Sequence, residues 1–191
     1  MGDIVIPPTI QEGRERVIER AIMDHPEFLG FRDALSIRNW RVSPDSGLLD
    51  IVLLPNNGPV HLVLVEAKAA VAPDAACKVT GQLLMYYAGA LMLGSEGLEV
   101  MRSFAANPEA RDTSKKPLVR VTGAKTTTEA WAVLTKGTPV APEQVRMFIA
   151  LDNKPHHALE PILATLRQHH RLPIGLVIVK DGKITVQLPA D

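Results

Sequence analysis

Residues 48–68 constrain this chain most. They read as two apolar strands, LLDIVLL and VHLVLVEAK, joined by Pro55-Asn-Asn-Gly-Pro59. Asn and Gly accept the left-handed backbone that tight hairpin turns need. The second strand is apolar on both faces, with Val60, Leu62 and Leu64 on one and Val63 and Val65 on the other. Such a strand belongs in the middle of a sheet covered by helices on both sides. Asp50, Glu66 and Lys68 interrupt these runs, and a buried charge is costly unless a partner or a metal offsets it.

Around the hairpin the spacing predicts alternating elements. Thr9 and Glu12 have the form of a capping box, so a helix is expected to start there and to end at His25-Pro26. Its buried stripe would be Val17, Ile18, Ala21 and Ile22, with Glu15 at the stripe's edge and Glu19 turned further toward solvent. Ser36–Val42 reads as a first strand. Pro73-Asp74 should open a helix running to about Leu93, closed by Gly94. Val145–Leu151 is a buried strand, and a helix over 156–170 follows. Pro161 is tolerable there only near the first turn. The chain closes with a hairpin turning at Asp181-Gly182. The expected fold class is therefore α/β, a mixed central sheet flanked by helices. A single domain is expected, with a core of residues 9–94 and 144–189 and a peripheral insertion over about 95–143. Within that insertion, 95–105 reads as a short helix. Thr126, Glu129 and Gly137 would bracket another, although Trp131 and Val133 also alternate as a strand does.

The hairpin's register brings its charges together. Asp50 and Glu66 stand at equal distances from Gly58, so in a symmetric hairpin they face each other with Cβ atoms about 5 Å apart. Lys68 projects from the same face as Glu66. Two adjacent carboxylates repel unless a cation intervenes, and an oxygen donor set of this kind suits Mg²⁺ or Mn²⁺. Pro44-Asp45 lies in a turn and out of register with Glu66, so Asp50 is the better ligand. On the following helix Lys78, Gln82 and Tyr86 fall one turn apart and share a face.

Asp50, then Glu66-Ala67-Lys68, then Gln82-Leu-Leu-Met-Tyr86 resembles the PD-(D/E)xK, or restriction endonuclease-like, nuclease superfamily, including the QxxxY helix motif of its RecB-like branch. The Glu-rich first helix ending in His-Pro-Glu, followed by Gly47-x-x-Asp50, is similar to the nuclease domain of archaeal-type mismatch endonucleases. The resemblance implies an αβββαβ core and Mg²⁺- or Mn²⁺-dependent hydrolysis of phosphodiester bonds, with DNA the expected substrate. It further implies that Asp50 and Glu66 hold the metal with the Ala67 carbonyl as third ligand, and that Lys68 positions the attacking water. Glu15 would hold a second metal or that water. Gln82 and Tyr86, with Lys78 beside them, would contact substrate or orient the metal ligands. A domain of the same architecture that binds nucleic acid or a partner protein without cutting is the alternative.

Composition sets limits on this reading. Lys+Arg and Asp+Glu both number 21, so no global basic field advertises an extended nucleic-acid surface. One cysteine, Cys77, excludes an internal disulfide and is expected to be a small buried hydrophobe. No apolar run reaches the roughly 18 residues of a membrane helix, and the N-terminus lacks signal-peptide character. The expectation is a cytoplasmic protein with no membrane partner, leaving protein partners or a homodimer open. His156-His157 and His169-His170 read as helix histidines rather than metal ligands. His61 reads as a core histidine, and Trp40 and Trp131 as packing residues.

Overall fold

The computed structural model describes residues 13–70, 75–110, 117–181 and 183–188. The Thr9–Glu12 capping box, the Pro73-Asp74 helix start and Gly182 lie outside them. Twelve principal elements run α1 (Arg14–Asp24), β1 (Leu35–Arg41), β2 (Leu48–Leu54), β3 (Leu62–Lys68), α2 (Ala75–Ala90) and α3 (Ser95–Ala105). Then come α4 (Pro117–Thr122), α5 (Thr127–Leu134), β4 (Val145–Leu151), α6 (Leu159–His170), β5 (Ile174–Lys180) and β6 (Lys183–Gln187).

The six strands form one mixed sheet in chain order, β1 to β6. β1–β2, β2–β3 and β5–β6 are antiparallel, whereas β3–β4 and β4–β5 are parallel. Element order α1-β1-β2-β3-α2-β4 follows the expected αβββαβ series, with α3–α5 inserted before β4. β3 is buried along nearly its whole length, as its two apolar faces require. On one face α1 sets Ile18, Ala21 and Ile22 against Ile51, Leu53, Val63 and Val65. On the other, α2 to α6 pack over Val52, Leu54, Leu62 and Leu64.

The described residues of the stretch 95–143 form a helical layer folded onto the core. Leu98, Met101, Leu118, Val121, Ala130 and Leu134 join the same buried cluster as Ile37 of β1. Thr126 caps α5 with Glu129 in a reciprocal capping box, so helix wins over the strand alternation of Trp131 and Val133. Gly94 does not close α2, which ends at Ala90. It precedes α3, where a Cβ would stand 1.8 Å from the Lys136 carbonyl oxygen; a Cβ at Gly97 would stand 1.9 Å from that of Leu134. These glycines let two backbones touch.

Three further expectations need correction. Cys77 is exposed, because the stripe that α2 buries is Ala76, Val79, Leu83, Tyr86 and Ala90. His61 is half-buried just before β3, its backbone N–H donating to the Gln144 carbonyl. Glu19 is buried, 6% exposed, rather than solvated, since Arg38 of β1 meets it in an ion pair. Trp40 is fully buried and Trp131 packs at the core's margin. Pro161 falls in the first turn of α6, where its missing N–H costs nothing. Asp181 takes a left-handed φ of 51° between β5 and β6, as a two-residue hairpin turn demands.

One irregularity matters for the site. β1 and β2 keep a constant register from Leu35↔Leu54 to Arg41↔Leu48, but the pairing skips Asn39 and Asp50. Asn39 has φ 51°. Ile37 and Trp40 both face the α2 side, as do Leu49 and Val52, although residues three apart in a regular strand point oppositely. Both strands therefore reset their alternation at the same place.

Candidate active site at the end of the β2–β3 hairpin

The hairpin adopts the symmetric register, with Ile51↔Val65, Val52↔Leu64 and Leu53↔Val63. Continued by one residue it sets Asp50 against Glu66, but backbone pairing stops at Ile51. The next β3 donor on that side, the Ala67 N–H, is taken by Asp50 Oδ2 at 2.7 Å. A residue's N–H and C=O point the same way across a sheet, so the Ala67 carbonyl is directed to the Asp50 side as well. Lys68 Nζ lies 3.1 Å from Glu66 Oε1 and 3.9 Å from Asp50 Oδ2. One ammonium thus touches both carboxylates. The side chains are 17% exposed for Asp50, 1% for Glu66 and 25% for Lys68, so Glu66 is shut off from solvent while Asp50 and Lys68 keep partial contact with it.

Their protonation follows from that burial. Burial pushes Glu66 up to about 7, and the neighbouring Asp50 charge adds to it against the opposing pull of Lys68. Asp50 is pushed up to about 6, again by burial first, with the Ala67 N–H and Lys68 opposing and Glu19 and Glu15 reinforcing. Burial pulls Lys68 down, but Glu66, Asp50 and Glu15 outweigh it and hold the ammonium above its ordinary value. Lys68 is a cation at neutral pH and no base.

The flanking elements brace this cluster. Glu15 of α1 accepts from the Ala69 N–H at 3.3 Å, and Asp152, just past β4, accepts from the Ala70 N–H at 2.7 Å. Arg14 holds Asp152 at 3.4 Å. The backbone leaving Lys68 is therefore fixed by two carboxylates from different elements. Tyr86, 1% exposed, donates its hydroxyl to the Leu48 carbonyl at 3.1 Å. Gly47 leaves it room, since a Cβ there would stand 3.0 Å from that hydroxyl. Burial and the two carboxylates raise Tyr86 to about 12, so it stays a phenol. Lys78 is exposed, and no described interaction ties it to the carboxylates. Asp45 is exposed in the turn that Arg41 secures through the Pro44 and Ser46 carbonyls.

Glu66 Oε2 and Gln82 Oε1 are buried acceptors without a hydrogen-bond donor. Such oxygens are rare; the Glu66 oxygen, beside Asp50 and Lys68, is one that a hard cation or its water ligands would satisfy. Among the described residues no group of three or more His, Cys, Asp or Glu side chains is arranged to hold a metal. The donors on offer are two carboxylates and a carbonyl, a set that fits Mg²⁺ and Mn²⁺, which keep several waters.

Sequence reading had not singled out Asp152, Arg38 or Asn39. Asp152 follows a buried strand directly, and polar residues past the carboxyl ends of parallel strands are where ligands bind in α/β sheets. Arg38 was visible as a charge between Ile37 and Trp40 in β1, although Ser36, Asn39 and Arg41 make that strand mixed. No protein-family model, curated protein or solved structure matches this chain. Among the described residues no helix is long and apolar enough to cross a membrane.

Proposed function

We propose that this chain is a Mg²⁺- or Mn²⁺-dependent nuclease of the PD-(D/E)xK type, hydrolysing phosphodiester bonds of DNA at Asp50, Glu66 and Lys68. The observation that carries the reading is the convergence of buried Glu66 and half-buried Asp50 on one ammonium, with a Glu66 oxygen left without a donor. The αβββαβ element order and the hairpin register support it.

A divalent ion held by Asp50, Glu66 and the Ala67 carbonyl would polarise the phosphoryl group and acidify a water. With all three side chains ionised the cluster carries one net negative charge, which a divalent ion held by Asp50, Glu66 and the Ala67 carbonyl would reverse, favouring a phosphodiester anion. Lys68 stays protonated, so Nζ donates to the water and opposes the negative charge developing on phosphorus oxygens. The Ala67 N–H holds Asp50 in place for its role, and Tyr86 secures the strand that carries it. Glu15 holds the backbone after Lys68 with one oxygen and keeps the other for a water or second ion.

The 3.1 Å Lys68–Glu66 contact also supports a second reading, a domain of this architecture that binds nucleic acid or protein and uses the charges as an ion-paired network. Cleavage of single- and double-stranded DNA with Mg²⁺ or Mn²⁺, comparing the unmodified chain with Glu66→Ala and Lys68→Ala, separates the two. Cleavage that both substitutions leave intact sinks the site assignment; absence of cleavage on every substrate favours the second reading.

A further inference from the structure

We propose that Asn39 is a positioning residue whose left-handed backbone turns the Asp50 carboxylate into the plane of the sheet; the metal-binding consequence rests on the nuclease reading. Side chains in a regular strand stand roughly perpendicular to the sheet and alternate between its faces. Counting by twos from Leu54 and Val52, which face the α2 side, Asp50 would point straight out from that face. A carboxylate so directed lies off the line of the neighbouring strand's N–H. Asp50 Oδ2 nevertheless accepts from the Ala67 N–H at 2.7 Å, which requires the strand to depart from regular alternation at Asp50.

That departure occurs across from Asn39. The two are opposite one another in a register that is otherwise unbroken, and they are the position the pairing skips. Asn39 takes φ 51°, a region that Asn enters more readily than other side chains bearing a Cβ. Its neighbours pin it on both sides. Arg38 is ion-paired to buried Glu19, and Trp40 is fully buried. With both neighbours held, the local rotation cannot spread along β1. It is passed to the facing residue, Asp50. Leu49 then turns to the same face as Val52, and Asp50 is released to reach β3.

Asn39→Gly keeps access to the left-handed region, while Asn39→Val excludes it most strongly because Val is β-branched. In the metal-free full chain, the Ala67 amide is read by its proton shift and its hydrogen exchange. Asn39→Gly is expected to leave both as in the unmodified protein. Asn39→Val should move the shift upfield and speed exchange by about tenfold or more. Mn²⁺ affinity measured by calorimetry should follow the same order, Val weakening it by about 10–100-fold, as for residues that orient metal ligands. If Val does not fold, Asn39→Ala is read in the same way. A folded Val or Ala variant with an unchanged Ala67 amide overturns the proposal. So does a Gly variant that loses as much as Val. If the unmodified chain neither binds Mn²⁺ nor cuts DNA while the Ala67 amide still orders Gly above Val, the nuclease reading fails and the positioning role stands.

Discussion

Replacing Glu66 by Gln should make the metal-free protein more stable, and more so at pH 8 than at pH 5. Glu66 is 1% exposed, and its carboxyl rises from 4.5 to about 7 on folding. An acid whose folded value lies above its unfolded one binds its proton more tightly in the fold. Its contribution to stability is therefore complete below pH 4.5 and is lost as pH rises through 7. At about 1.4 kcal/mol per decade, that displacement costs the ionised form about 3 kcal/mol at pH 8. Part of the cost is repulsion shared with Asp50, so a gain of about 2 kcal/mol is expected from the neutral amide, or roughly 4–8 °C in Tm. At pH 5 the unmodified carboxyl is mostly protonated in the fold, and the gain should shrink to about 1 kcal/mol or less. Thermal unfolding with chelator present, at pH 5 and pH 8, measures both numbers. The same variant should lose the stabilisation that Mn²⁺ gives the unmodified chain. A Glu66→Gln protein less stable than the original at pH 8, or equally shifted at both pH values, refutes the buried-charge reasoning.

Lys68→Met leaves buried Glu66 and half-buried Asp50 without their cation, so it should destabilise the chain by about 2–4 kcal/mol at pH 8 and much less at pH 5, by the same thermal unfolding. Mg²⁺ or Mn²⁺ should raise Tm more at pH 8 than at pH 5.5, because Asp50 and Glu66 must shed protons to bind it, and chelator should reverse the rise. Tyr86→Phe removes the bond to the Leu48 carbonyl at a cost of about 1 kcal/mol in denaturant unfolding. Gly47→Ala, which crowds that hydroxyl, should cost a comparable amount in the original chain and less in the Tyr86→Phe background.

The hairpin was legible in the sequence because its information is local. A turn dipeptide, alternating apolar residues and two carboxylates equidistant from Gly58 suffice to place Asp50, Glu66 and Lys68 together. Tyr86 was legible for the same reason, being a helix position one turn from Gln82. Glu19 was misread because a helical wheel shows only the helix's own stripe. The partner that makes its burial tolerable, Arg38, comes from a strand whose position the wheel does not contain. Cys77 was misjudged because its burial was expected from residue type, whereas the stripe α2 buries, Ala76, Val79, Leu83, Tyr86 and Ala90, leaves position 77 on the outer face. The layer over 95–143 was obscure because Gly94 and Gly97 act through the backbone of Thr135-Lys136 and Leu134, a contact without periodic signature. Asp152 and Asn39 depend on which strands become neighbours, and that is decided by the whole sheet.

Strand order equal to chain order also divides the site by when its parts can form. β1, β2 and β3 are joined by short connections, so Asp50, Glu66 and Lys68 meet at low loop-closure cost. The parallel β3–β4 pairing must instead bring together residues separated by α2 to α5, and such distant contacts form late. The Ala70–Asp152 bond belongs to that later event. On the ribosome, all the residues of the charged hairpin would be synthesised well before Asp152, with the backbone beyond Lys68 fastened only as β4 docks.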